Sequence, residues 1–317
     1  MIERGGGPEV LSVRDIPREE PGPGELRVRV GASGINRVEA KIRADPASRG
    51  VPLPAVLGYE AAGWVDALGP GVEGFRLGER VFYAAEFLGT SRGTHAEYHV
   101  VRADIVGPAP AGLTLAEAAA VPLAGGTAWE AVVRRLKVRP GETALLLGAA
   151  GAVGTFAVQF AQLSGASVVA VAGEGNLEFL RSLGADRAVD YRHEDVVAAV
   201  LDATAGRGAD VVLDLVGGSS LATAIGAVRD FGRLATVVGI SGDYAKFYAK
   251  NLSLHGILLT RERERLEEMR PVLESGRLRL PITTYPMEEI RRVHEQLDSG
   301  HAHGKSVLTV AEPTGPA

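Results

Sequence analysis

Between residues 143 and 259 the chain carries six short apolar runs: Thr143–Leu147, Ser167–Ala172, Ala188–Tyr191, Asp210–Leu215, Arg233–Val238 and Ser253–Leu259. Most are separated by segments of helix length. Strands that are apolar throughout, without alternation, are covered on both faces, and that occurs in parallel sheets whose crossover connections are helices. The pattern predicts an α/β chain built on a doubly wound parallel sheet.

The first part of the chain has a different texture. Leu26-Arg27-Val28-Arg29-Val30 alternates apolar and charged residues, as a strand with one wet face does. Gly63–Leu68, Arg80–Tyr83 and Thr94–Val101 read as further strands, punctuated by turn residues such as Gly69-Pro70-Gly71. Helical patterns follow at Leu115–Val121 and around Thr127–Leu136. After the parallel sheet, Met287, Ile290, Val293 and Leu297 recur at helical spacing, Lys305–Val310 reads as a last strand, and the tail 312–317 reads as loose. The cluster Arg261–Arg265 reads as an exposed, salt-bridged helix start. With 317 residues, two domains are expected.

Composition narrows the function classes. The formal net charge is -5 and no basic stripe interleaves with aromatics, so no nucleic-acid partner is expected. No apolar run reaches the roughly 18 residues that cross a bilayer, and the first residues lack the apolar core of a signal peptide, so a cytoplasmic protein with no membrane partner is expected. The chain has no cysteine, which excludes disulfides, thiolate nucleophiles and cysteine-ligated zinc.

The strand Thr143–Leu147 runs into Gly148-Ala149-Ala150-Gly151-Ala152-Val153-Gly154, followed by an apolar helix over Thr155–Leu163. In that context a glycine-rich loop carries chemistry: small residues let the backbone approach a pyrophosphate, and the helix N-terminus supplies free N–H groups. The form is Ala149-x-Gly151-x-x-Gly154, with alanine at the first glycine of the usual fingerprint. A tight βα turn without a ligand would look the same. The loop predicts dinucleotide binding at Ala149, Ala150, Gly151, Ala152 and Val153. No acid stands at Ala172 or Gly173, where a ribose 2′-hydroxyl is usually held, and Glu174 lies just beyond.

Taken in order, Gly34-Ile35-Asn36, Val56 to Gly63, Gly78-Glu79-Arg80-Val81, Ala96-Glu97-Tyr98, Gly126-Thr127-Ala128, Gly148 to Gly154 and Leu183-Gly184-Ala185-Asp186 resemble the landmarks of the medium-chain dehydrogenase/reductase superfamily. The resemblance covers nearly the whole chain. It implies a Rossmann domain over 121–258 and a GroES-like β-rich domain from 1–120 with 259–317, with substrate in the cleft between them. The zinc enzymes of that superfamily place a cysteine where this chain has Asn36 and a histidine where it has Tyr59. The chain therefore resembles the zinc-independent quinone oxidoreductase (zeta-crystallin-like) branch, and no metal site is expected. In that branch an Asn at the position of Asn36 and a Thr at that of Thr127 help position nicotinamide.

The resemblance also places Gly173, Asn176, Tyr191, Arg192, Gly239 and Ile240 around the cofactor. Asn176 stands where many relatives have a lysine that grips the 2′-phosphate of NADP, and Lys41 where relatives often have an aromatic. Tyr191 and Arg192 leave a route to that phosphate, so NADP is expected and NAD stays possible. Tyr59, Lys41 and His95 are the candidates for polarising a carbonyl or supplying a proton. Each has a plainer reading: Tyr59 as filler of a lost histidine's space, Lys41 as a solvated helix charge, His95 as a local hydrogen-bond partner on its strand. Glu60 reads as a buried structural anion. The expected reaction is NAD(P)H-dependent hydride transfer to a quinone. Reduction of an enone or enoyl double bond is the alternative within the family, and a cofactor-binding protein without turnover the alternative outside it. A homodimer through the apolar edge Ser253–Leu259 is expected.

Overall fold

The computed structural model of the chain describes residues 1–86, 89–299 and 304–310. Elements follow in chain order as β1 (Glu25–Gly34), α1 (Arg37–Ala44), β2 (Glu60–Leu68), β3 (Arg80–Ala84), β4 (Tyr98–Arg102), β5 (Gly107–Pro108), α2 (Leu115–Ala119), α3 (Ala124–Trp129), β6 (Thr143–Leu147), α4 (Ala152–Leu163) and β7 (Ser167–Ala172). They continue as α5 (Leu177–Ser182), β8 (Arg187–Asp190), α6 (Val196–Ala203), β9 (Ala209–Asp214), α7 (Ser220–Ala224), β10 (Val228–Thr236), α8 (Ala245–Ala249) and β11 (Ser253–Gly256). The last are α9 (Arg263–Glu274), β12 (Ile282–Pro286), α10 (Ile290–Ser299) and β13 (Lys305–Thr309). Contacts divide the chain into two units, Met1–Leu123 with Thr260–Ala317, and Ala124–Leu259.

In the first unit, one sheet runs β12-β13-β1-β2-β3-β5, with β4 also pairing β1. The long strand β1 is its organiser. Its first half pairs β4 and its last residues pair β13, while β2 follows it with two register shifts, at Arg27/Val28 and Val30/Ala32. Leu26, Val28 and Val30 face a core completed by Val65, Val81 and Tyr83. A second cluster packs Ile35, Ile42, Leu57 and Tyr59 with Ile290, Val293 and Leu308, which ties the chain's last helix and strand to its first.

The second unit holds a six-stranded parallel sheet in the order β11-β10-β9-β6-β7-β8. The order reverses beside β6, and the glycine-rich loop follows that strand. In doubly wound sheets this switch point is where ligands bind. The core is made of the apolar runs themselves, Leu145, Leu147, Val169, Val171, Val189, Val212 and Leu234, with Leu221, Ile225 and Val228 beside them.

Several sequence expectations are corrected. The strand expected over Thr94–Val101 begins only at Tyr98, because Thr94 and His95 turn their side chains to Ser33 and leave the ladder. His95 therefore stands before the strand, not on it. The run Ser253–Leu259 is a strand only to Gly256. The helix over Thr127–Leu136 begins at Ala124 and continues past Trp129 as a π-helical stretch, Glu130–Arg135. The Arg261–Arg265 cluster is not an exposed charge run: Arg265 is buried, donates to the Thr260 carbonyl at 2.8 Å and pairs Glu262. Strand β12 was not anticipated, since Ile282–Pro286 buries no residue fully and ends in a proline. The tail 312–317 lies outside the described residues.

Candidate functional site

In the first unit three strand ends bring polar residues together. Ser33 is next to last in β1, Glu60 begins β2, Lys305 begins β13, and the register pairs Ser33 with Ala61 and Gly34 with Val307. Asn36 then caps α1, its side chain and Glu39 forming a capping box. Gly34 makes room for this cluster, since a Cβ there would stand 2.5 Å from Glu60 Oε1 and 2.7 Å from the Ala119 carbonyl oxygen.

Every polar atom of Asn36 is engaged inside the unit. Its amide donates to Glu60 Oε1 at 2.9 Å and to Glu39 Oε1 at 3.2 Å, and its Oδ1 accepts from Lys305 Nζ at 2.5 Å. Lys305 also donates to the Ile35 carbonyl at 2.9 Å and pairs with Glu60, which further accepts from the Leu123 N–H at 2.7 Å. Glu60 and Lys305 are both buried, so the pair compensates charges that could not stand alone there. The reading of Glu60 as a buried structural anion agrees with this. Lys305 had no signal in the sequence, being 269 positions from Asn36.

Glu39 accepts from His95 Nε2 at 2.7 Å, and His95 Nδ1 lies 2.9 Å from Ser33 Oγ. Burial alone pushes the Glu39 carboxyl up, but His95 first, then His294 and Lys305, more than offset this and hold it below its ordinary value. Tyr59 is buried nearby; burial first, and the Glu39 charge second, push its phenol well above its ordinary value, so it is a donor and not a base. Lys41 lies exposed on α1.

A nitrogen of His294 falls within 4.8 Å of Glu39 and His95 ligand atoms, which suggests a metal set. The donor chemistry disagrees. Arg43 donates to His294 Nδ1 at 3.0 Å, so a neutral His294 carries its proton on the buried Nε2 and offers no lone pair there.

In the second unit the glycine loop joins β6 to α4. Gly148 takes a left-handed φ of 77°, the bend that lets the strand turn into the helix. Gly154 is required by packing, because a Cβ would meet the Ala149 carbonyl oxygen at 2.2 Å. Gly151 is different. A Cβ there would meet nothing nearer than the Gly148 carbonyl oxygen at 3.8 Å, so nothing inside the unit demands glycine. The open space lies at the N-terminus of α4, whose first N–H groups have no intrahelical partners. Ala149 is buried beneath it, and Ala150, Ala152 and Val153 are half-buried around it. The residues present therefore fit a pyrophosphate.

The tip of β7 supplies a second feature. A Cβ at Gly173 would stand 3.8 Å from Tyr191 Cε1 and 4.0 Å from Arg192 Cζ, so the phenol and guanidinium border this glycine. Arg192 Nε donates to Tyr191 Oη at 3.2 Å, and both residues are exposed. Asp190 positions the segment, accepting from the Arg192 N–H at 3.1 Å and from His193 Nδ1 at 2.5 Å. Asn176 follows in the turn that leads to α5. Gly239 and Ile240 follow β10, bridged to Gly218. Thr127 is buried on α3.

Comparison with known proteins adds the following. Residues 22–111 match the alcohol dehydrogenase GroES-like domain, and residues 183–308 match the zinc-binding dehydrogenase family. A quinone oxidoreductase of Pseudomonas aeruginosa is 35% identical over 320 residues, covering 96% of each chain. The crystal structure of an NAD-dependent alcohol dehydrogenase superposes with a TM-score of 0.91 at 36% identity, covering 98% of each chain. The Escherichia coli quinone oxidoreductase complexed with NADPH superposes with a TM-score of 0.86 at 28% identity, again covering 98% of each.

Proposed function

We propose, for a chain that belongs to the quinone oxidoreductase branch of the medium-chain dehydrogenase/reductase superfamily, that it is a zinc-independent reductase which uses NADPH to reduce a quinone. The observation that carries this is the pair of openings in the second unit: the Cβ-sized space at Gly151 above the α4 N-terminus, and the bare Gly173 bordered by Tyr191 and Arg192. The first suits a pyrophosphate. The second presents a guanidinium where a 2′-phosphate needs one, and no carboxylate at the position that would grip a ribose hydroxyl. NAD dependence belongs to one similar structure and an NADPH complex to another; Arg192 favours the phosphate here.

Nicotinamide, when bound, supplies the hydride, and the hard chemistry is the cofactor's own. The chain's part is to hold it and to keep the first unit's polar groups in fixed protonation states. Lys305 occupies Asn36 Oδ1 and Glu60 with an ammonium, so the positive charge a zinc ion would bring is already present. Tyr59, held protonated by its burial, can donate a hydrogen bond to a carbonyl oxygen. Thr127 on α3 is retained as a proposed nicotinamide contact. Among the described residues no helix is long and apolar enough to cross a membrane.

Initial rates of NADPH and NADH oxidation with 1,4-benzoquinone, 9,10-phenanthrenequinone and trans-2-enones test the reading, with and without exhaustive chelation. Turnover of a quinone with NADPH that survives chelation is expected. Turnover of the enones alone would move the chain to double-bond reduction, and loss of activity with removal of a stoichiometric zinc would end the zinc-independent reading.

A further inference from the structure

Arg43, in the last turn of α1, is buried, and its guanidinium is shared among three segments. Its Nε donates to the Gly6 carbonyl at 3.1 Å, its Nη2 donates to Asp298 Oδ2 at 2.6 Å, and its Nη1 lies 3.0 Å from His294 Nδ1. The Gly6 N–H returns a bond to the Arg43 carbonyl at 3.0 Å. His294 and Asp298 stand one turn apart on α10, so a single guanidinium joins that helix and the segment around Gly6 to the end of α1. A guanidinium has donors only, so His294 Nδ1 is the acceptor and the neutral ring's one proton sits on Nε2. That nitrogen is buried and has no hydrogen-bond partner among the described residues. A second proton can enter the ring only at Nδ1, where Arg43 already points an N–H. The charged imidazole and the closed contact therefore exclude each other.

We propose that Arg43 and His294 form a proton-operated clasp: it is closed while the imidazole is neutral, and a proton on Nδ1 opens it, freeing α10 and the segment around Gly6 from α1. The device goes beyond the reductase reading and does not depend on it. The charged and titratable groups facing His294 are Glu39 and Arg43 from α1, His95 from the turn before β4, and Asp298 from its own helix. The other segments packed on α10 hold their ionisable groups elsewhere. Glu9 accepts from the Gly7 N–H at 2.9 Å, Glu289 pairs with Arg292, Tyr285 Oη donates to Gln296 Oε1 at 2.9 Å, and Glu288 is exposed. Burial first, with His95 and Arg43 beside it and against the pull of Glu39 and Asp298, lowers His294 to about 4, so the clasp is closed at neutral pH. Once charged, the ring has a counter-ion at hand, since one of its nitrogens lies within 4.8 Å of a Glu39 carboxylate oxygen. Glu39 accepts from the backbone N–H of Asn36 at 3.1 Å and from its amide at 3.2 Å, so the open clasp competes for the carboxylate that orients Asn36. Acid thereby acts on the polar cluster of the first unit through one histidine.

The test is hydrogen exchange read by mass spectrometry on the full chain, at about pH 7.5 and about pH 4.5, corrected for the intrinsic pH dependence of amide exchange. Peptides covering residues 4–8 and α10 are expected to exchange at least about tenfold faster at the lower pH, with a shared midpoint, while β6 stays slower than both. His294→Gln keeps an acceptor for Arg43 but takes no proton, and is expected to abolish the acceleration in both peptides. His294→Leu leaves Arg43 without that acceptor, and both peptides are expected to exchange fast at either pH. Acceleration that persists in His294→Gln overturns the clasp. Exchange of both peptides in step with β6 overturns it too, because only the whole chain would then be opening. Should neither variant fold, the parent decides alone, since one guanidinium holds both segments: separate midpoints, or acceleration in one peptide only, overturn the proposal.

Discussion

A Cβ at Gly154 would stand 2.2 Å from the carbonyl oxygen of Ala149, whereas one at Gly151 would come no nearer than 3.8 Å to that of Gly148. The two glycines of one loop therefore make opposite predictions. Gly154→Ala should destabilise the chain by at least about 3 kcal/mol, the upper end of an overpacked site, since a backbone carbonyl cannot step aside. Gly151→Asp should fold normally and lose dinucleotide binding by more than about tenfold, as a carboxylate would meet the pyrophosphate. Thermal melts and fluorescence titration with NADPH separate the two; equal melts, or undiminished binding in Gly151→Asp, would contradict this reading. Lys305 gives a third expectation at this scale. Lys305→Met leaves Glu60 as an unpaired buried charge, which costs about 3–5 kcal/mol, whereas replacing the pair together as Lys305→Met with Glu60→Gln should cost less than the single change. Urea midpoints of the two variants decide it. Glu39 was not read from the sequence, although it stands third after Asn36, at the spacing of a capping box. Lys305, Arg43 and His294 were not read either, because a lysine opening a strand or a histidine on an amphipathic helix has no local mark of what it will face.

Among the elements, β6 and β7 begin and end where their apolar runs do, since both faces of these strands are covered and hydrophobicity alone delimits them. Where a face is wet or a side chain has other partners, the limits move. Thr94 and His95 left the expected strand for Ser33, and Leu258, in the run read as an edge strand, is instead exposed beyond its end. Among the described residues, edge strand β11 pairs only β10, so its outer backbone groups face away from the sheet. A homodimer joined along this edge is proposed. Gly256 has open space around a would-be Cβ, so Gly256→Lys adds a charge to the edge without a clash inside the chain. Light scattering should give a dimer for the parent and a monomer for the variant at an unchanged melting temperature; a monomeric parent would remove the proposal.

At the scale of the whole molecule, two histidines buried without charge link stability to pH. Burial pushes His99 down to about 4, where its ring stacks on Tyr83 and lies 3.0 Å from the phenol oxygen, and pushes His294 down to about 4 as well. The folded chain thus refuses protons that the unfolded chain takes up below its ordinary histidine value near 6.5. Their contribution is fully present above about pH 6.5 and is lost as pH falls toward 4, each histidine adding up to about 1.4 kcal/mol per pH unit to the slope. Denaturant unfolding between pH 7.5 and 4.5 should show a slope approaching two protons, and His99→Phe should bring it close to one. A flat profile over that window would show that these rings are charged in the folded chain.

The sequence by itself determined the parallel sheet, the glycine loop at its switch point and the absence of cysteine ligands, because each depends on a contiguous run or on composition. It also held Asn36 and Tyr59 at the positions where the resemblance places the cysteine and histidine of the zinc enzymes. Only the tertiary structure decided what those residues do. Strand register brought Lys305 to Asn36 and Glu60, and the ends of β7 and β8 brought Arg192 over Gly173 and His193 to Glu174 and Asp190. The physical reason is that a run of apolar residues declares its own burial, whereas the charge a buried polar group experiences depends on partners that are distant in the chain and become neighbours only when the strands pair.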